Sequence, residues 1–346
     1  MKTNGCGLYD YPAKNTIRTH WVPFASAEVP PAELHNLRVW FFPGPAALEV
    51  ASYRAVGMRV KQLVGFEWDA NRARSVKNEV PSLALVPTSL AAFLANPALV
   101  GNAPDWANLD YDGAFMTFAS DIRGVVGRLA LDRAPRLGIS SLSTRDTDAL
   151  VESVKALSVW SAILPGRLET GIDLLRRGNE RAGLVSKEPM PTYMLCRELA
   201  LSLLLVRAFG ERQYGSDDAD ASRTFIQAWE RIDAEVDSAV RTETRAHIGT
   251  PRALIIAACA SLEEIVRNRL IPVQCIRRVR FAYQSLEHKW RWTWYFAFEK
   301  TAVPISLARF AEDLLVSHPL LHHIDFTGSV VGARRQGVCP HCPKEE

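Results

Sequence analysis

The feature that most constrains the fold is a strict alternation of short apolar runs and amphipathic stretches between Leu37 and Leu164. The runs Leu37–Phe42, Val60–Phe66, Leu83–Val86, Trp106–Asp110 and Arg136–Leu142 are too short for helices and are bounded by Gly, Pro or polar residues, so they read as strands. Helical stretches separate them at about 46–57, 70–80, 89–94 and 118–131, and another follows at 146–164. Strands that alternate with helices through short links pair in parallel, and their crossovers are right-handed. An α/β fold with a doubly wound, mostly parallel sheet is therefore expected.

After Pro165 the pattern changes, and residues 166–270 read as almost entirely helical. One helix covers 191–209, with Gly210 as its stop. Ser222 caps another, whose Phe225, Ile226, Trp229, Ile232, Val236 and Val240 fall at helical spacing. Thr250-Pro251 opens a third, to about Leu270. Two β-like runs return at Val273–Ser285 and Lys289–Lys300, joined by Leu286-Glu287-His288, a length suited to an antiparallel hairpin. A helix at 306–316 and a polar tail finish the chain, while residues 1–33 lack clear periodicity. The expected organisation is an irregular N-terminal arm over 1–33 and an α/β domain over 34–165 plus 271–300. A helical insertion over 166–270 and a C-terminal helix with polar tail over 301–346 complete it.

Charge and cysteine usage exclude some classes of function. The formal net charge of +3 is too small to argue for nucleic acid or membrane on its own. No apolar run is long enough to span a bilayer, and Met1–Cys6 carries no apolar leader, so no membrane partner and a cytoplasmic location are expected. The six cysteines are scattered and form no disulfide framework. Cys339-Pro340-His341-Cys342 is half a zinc site; the second pair is missing, so no metal is expected.

The densest site signal is a strand, a tight turn and a helix, followed by a lone acid. Pro43-Gly44-Pro45 turns the chain after the first strand, and Glu67 ends the second strand 23 residues after Gly44. This order places a small ligand at the carboxyl edge of the sheet and sets a carboxylate beside it for ribose hydroxyls. The turn holds a single glycine, and its two prolines remove N–H donors, which argues against a pyrophosphate-bearing dinucleotide. A second signal, Asn108-Leu109-Asp110-Tyr111-Asp112-Gly113, ends the fourth strand. Asp110 is the first candidate to orient a reacting amine, Tyr111 to stack an acceptor and Asp112 to serve as a secondary acid. A third lies in the hairpin region, where Arg267–Lys300 carries eight Lys/Arg against two Asp/Glu. Arg277, Arg278 and Arg280 are candidates for phosphate contact. Trp290, Trp292 and Trp294 share one strand face and read as core more readily than as a stacking platform.

A parallel sheet that ends in an antiparallel hairpin resembles the Rossmann-like fold of class I S-adenosylmethionine-dependent methyltransferases. In that family five parallel strands are followed by a reversed last strand inserted beside its predecessor. The resemblance covers about 34–164 plus 271–300. It implies S-adenosylmethionine as cofactor and methyl transfer as the activity. Pro43 and Gly44 would cradle the methionine end, Glu67 would bond the ribose hydroxyls, Ser89 would flank the adenine, and Asn108 would sit at the cofactor's edge of the fourth strand. Asn108–Gly113 also faintly resembles the Asp/Asn-Pro-Pro-Tyr loop of amino methyltransferases, without its prolines, which keeps a nucleic-acid base among the candidate acceptors. The insertion 166–270 would recognise the acceptor, bind a partner or form a homodimer. The competing expectation is a non-catalytic interaction or scaffold protein of the same fold that has lost its cofactor.

Overall fold

The computed structural model describes residues 10–96, 103–142, 155–156, 159–164, 190–243, 251–286, 290–316 and 321–331. Their centre is one nine-stranded sheet. Its strands are β1 (Val39–Phe41), β2 (Leu63–Phe66), β3 (Ala84–Val86), β4 (Trp106–Asp110), β5 (Arg136–Leu142), β6 (Leu270–Gln284), β7 (Trp290–Ser306), β8 (Leu321–Ile324) and β9 (Val330–Val331). They run in the spatial order β3-β2-β1-β4-β5-β7-β6-β8-β9. β1 to β5 are mutually parallel, whereas β7 is antiparallel to both β5 and β6 and lies between them. The expected mostly parallel, doubly wound sheet with an antiparallel C-terminal hairpin and a helical insertion is therefore what the chain forms. The strand order reverses between β1 and β4, whose neighbouring carboxyl ends form the crevice where open α/β sheets hold ligands.

Side chains alternate between two covered faces, so both faces of the central strands are apolar. Ala107, Leu109, Leu137, Ile139, Trp292, Trp294, Phe296 and Phe298 face one core. Helices α5 (Leu90–Leu94), α6 (Ala119–Arg128), α7 (Met190–Glu211), α8 (Ala219–Glu243), α9 (Pro251–Asn268) and α10 (Leu307–Val316) all contribute buried residues to it. Val39, Phe41, Leu63, Trp106, Phe281, Tyr283 and Tyr295 face the other core, under α1 (Pro12–Ser26), α2 (Pro31–Leu34), α3 (Glu49–Ala55) and α4 (Ala70–Glu79). The described part of the insertion thus shares one core with the sheet. Arg269 fastens it there, donating to the Gly210 and Arg212 carbonyls, the Asp218 carboxylate and the Ser222 hydroxyl.

Several elements differ from expectation. The stretch 1–33, read as irregular, contains α1. Its inward stripe, Ala13, Lys14, Ile17, Arg18, Trp21, Val22 and Ala25, has helical spacing but includes two cations, which hid the apolar period. The helix after the β1 turn begins at Glu49 rather than Ala46, because Pro43 and Pro45 shape the turn and Ala47 takes a left-handed φ of 46°. Gly210 does not stop α7; a Cβ there would lie 2.4 Å from the Phe225 ring, so the residue permits a close helix crossing. The C-terminal segment adds β8 and β9 to the expected helix. The Cys339–Cys342 half-site and most of the helix expected at 146–164 lie outside the described residues.

Candidate functional site

The crevice at the strand-order reversal is built by three chain segments. The first is the turn after β1. Pro43 is buried, and its ring lies over β2 at Gly65, where a Cβ would come within 2.8 Å of the Pro43 Cγ. Glycine in that strand is what allows the turn to lie flat on the sheet. Gly44 accepts a hydrogen bond from the Ala47 amide at 2.7 Å, which closes the turn.

The second segment follows β2. Glu67 is buried at 8% exposure, and its Oε1 accepts from the Asp69 amide at 2.9 Å. No ion pair engages it, and Oε2 has no protein partner among the described residues. Burial pushes its carboxyl up from the ordinary range against that amide bond and the charge of Arg72. Beside it Trp68 is 72% exposed, so the indole projects outward and does not plug the crevice. Asp69 caps α4, accepting from the Asn71 and Arg72 amides. The Ser89 hydroxyl is similarly used, capping α5 by accepting from the Ala92 amide at 3.1 Å.

The third segment ends β4, where the pleat sends its residues to opposite sides. Asn108 points toward α1 and α3: it bonds Tyr53 and lies against Gly138. Asp110 points the same way and is held by the Lys14 ammonium of α1 and, at 3.6 Å, by Arg291 of β7. Burial alone would raise its carboxyl; Lys14 and then Arg291 outweigh burial and hold it below the ordinary range. Tyr111 turns to the opposite face. Its ring stacks on Phe118 at 4.1 Å and meets the edge of Phe42 at 5.2 Å, so stacking an acceptor would require Phe118 to move. Asp112 is exposed and pairs with Arg291 at 3.3 Å, while Arg291 also donates to the Tyr111 carbonyl at 2.7 Å.

The structure therefore brings Pro43, Gly44, Glu67, Asp110 and Asp112 to one edge of the sheet, sets Ser89 at a helix cap and turns Asn108 beneath the edge. It removes Arg277, Arg278 and Arg280 from any nucleic-acid surface. They are 3%, 2% and 0% exposed, because β6 is covered on both faces. Arg277 donates to the Phe24 carbonyl, Arg278 pairs with Glu198, and Arg280 pairs with the same carboxylate at 3.1 Å. Glu198 also accepts from the Trp294 indole at 2.8 Å, so that tryptophan serves the core.

Lys14, Arg291 and Asp121 were not legible as site residues. Asp121, in the first turn of α6, is 8% exposed and has no ion pair or hydrogen bond among the described residues; burial raises its carboxyl. It lies within electrostatic reach of the Tyr111 hydroxyl, which is itself buried and has no hydrogen-bond partner among the described residues. Among the described residues no group of three or more His, Cys, Asp or Glu side chains could hold a metal, and no helix is long and apolar enough to cross a membrane. The chain matches no protein-family model and no curated protein.

Proposed function

We propose that the protein transfers a methyl group from S-adenosylmethionine to an acceptor, for which a nucleic-acid base remains one candidate. The observation that carries this reading is the strand order. A reversed β7 lies between β5 and β6, beside a parallel sheet whose order switches between β1 and β4. That is the arrangement the resemblance to class I methyltransferases implies. The residues at the crevice fit such a cofactor. Glu67 keeps one oxygen for a ribose hydroxyl, the flat Pro43-Gly44 turn lets a ligand approach the sheet edge, and Trp68 leaves the space open while offering an aromatic face.

When bound, the cofactor would supply a methyl group already activated on a sulfonium, so the protein's task is to position and to exclude water. Glu67 would orient the nucleoside. Asp112, the exposed carboxylate of the β4 loop, is the acid an acceptor amine would meet first from solvent, in exchange for its ion pair with Arg291. Asp110, already shared by Lys14 and Arg291, is less available to it.

The second reading, a scaffold that has lost its cofactor, is favoured by one observation: the turn has prolines where amide donors would serve a ligand. Calorimetric titration of S-adenosylmethionine into wild type and Glu67→Ala separates the two. Saturable binding that weakens about tenfold or more in the mutant, the scale of a lost charged hydrogen bond, supports transfer. No binding at millimolar ligand refutes it in favour of the scaffold.

A further inference from the structure

The prolines strip donors from the turn, yet buried polar atoms without a hydrogen bond gather at the same carboxyl edge of the sheet. Tyr11 at the cap of α1, Tyr283 near the end of β6, Arg291 at the start of β7 and Asp110 at the end of β4 lie within electrostatic reach of one another. Among the described residues the Tyr11 and Tyr283 hydroxyls, the Arg291 Nε and the Asp110 Oδ1 are buried without a hydrogen bond of ordinary length; Tyr283 interacts weakly with Thr293, and Asp110 Oδ1 faces the Arg291 guanidinium at 3.6 Å. The register accounts for the convergence. Tyr283 pairs with Arg291 across the hairpin, Arg291 pairs with Leu142 of β5, and Asp110 pairs with Ser140 of the same strand. All lie on the face that α1 covers, and Lys14 reaches Asp110 from α1.

A buried polar atom without a partner costs free energy, and several at one place call for a ligand that satisfies them. The set has a definite chemistry. Two phenols and a guanidinium nitrogen are donors, and Asp110 Oδ1 is the acceptor beside them. A bare anion would meet the Asp110 carboxylate, and a bare cation would meet Lys14 and Arg291. A group carrying both charges satisfies all four atoms.

We propose that this cluster is a subsite for the α-amino-acid end of a ligand, with Tyr11, Tyr283 and Arg291 donating to its carboxylate and Asp110 accepting from its ammonium. The ligand's identity rests on the methyltransferase reading, because the methionine end of S-adenosylmethionine is such a zwitterion. The grip on that end then comes from side chains of α1 and the hairpin instead of the amides of the turn, and Asp110 becomes a cofactor-binding residue.

The test compares two nucleosides by calorimetry on the full chain: S-adenosylhomocysteine, which carries the amino-acid end, and 5′-methylthioadenosine, which lacks it. The wild type is expected to prefer the first by tenfold or more. The Tyr11→Phe/Tyr283→Phe double variant, which keeps both rings, is expected to lose that preference while binding 5′-methylthioadenosine unchanged. Equal affinity for the two nucleosides in the wild type overturns the subsite and leaves the methyltransferase reading standing. A preference that survives in the double variant also overturns it. Failure of both nucleosides to bind overturns the subsite together with that reading.

Discussion

Two aspartates eleven residues apart have opposite electrostatic fates. Asp110 sits between two cations, which lower its pKa despite burial. Asp121 is buried without a partner among the described residues, and its pKa rises above the ordinary 3.8. Its folded-state pKa therefore exceeds its unfolded value, and the folded chain binds the extra proton between the two. Its effect on stability is neutral below 3.8 and turns unfavourable as pH rises through the folded value. Asp121→Asn should accordingly raise stability at pH 8, with the gain vanishing toward pH 3. Thermal melts of both proteins across that range would reveal it; a mutant less stable at pH 8 would mean that the carboxylate has a role in holding the fold. At this scale the sequence marked Glu67 and Asp110, because acids at strand ends stand out against apolar runs. It could not mark their partners: Lys14 lies 96 residues from Asp110, and Arg291 lies 180 residues from Tyr111. Only the register of the sheet brings them together.

Among elements, the strands were easier to read than the helix that covers them. β4 and β5 have the boundaries that their apolar runs predict, whereas α1 was hidden by its inward Lys14 and Arg18. Arg18 pairs with buried Glu49 of α3 at 2.7 Å, and Lys14 pairs with half-buried Asp110, so each cation in the stripe meets a carboxylate. Those pairings have no signature in local periodicity. The β1 turn depends on its neighbour in a way that can be tested. In Gly65→Ala the new methyl would meet the rigid Pro43 ring at 2.8 Å and Leu85 at 3.1 Å. The turn must then lift from β2, at a stability cost of about 1–3 kcal/mol, with weaker nucleoside binding as the functional sign. Urea denaturation and calorimetry would measure both. Unchanged binding in a destabilised protein would separate the turn from the site.

For the whole molecule, the alternation of strand and helix runs marks the layered sheet, and the C-terminal hairpin marks its reversed strand. The basic character of Arg277, Arg278 and Arg280 misled because charge suggests surface, while β6 is an inner strand whose arginines are paired in the interior. The described part of the insertion packs into the core of the sheet. Phe209, Phe225, Trp229 and Leu262 join the core that holds Trp294 and Phe298. Arg269→Ala would leave the Gly210 and Arg212 carbonyls and Asp218 without their shared donor, at about 3 kcal/mol. Because the core is continuous, near- and far-ultraviolet circular dichroism should still report one coincident transition for wild type and mutant. Two transitions would mean that the helices fold as a separate unit. The most direct test of the account is a crystal structure of the protein with S-adenosylhomocysteine. The nucleoside is expected in the crevice between the β1 turn and Glu67, with a ribose hydroxyl within about 3 Å of the Glu67 carboxylate. A crevice that stays empty at millimolar ligand, or a ligand seated away from Glu67, would contradict it.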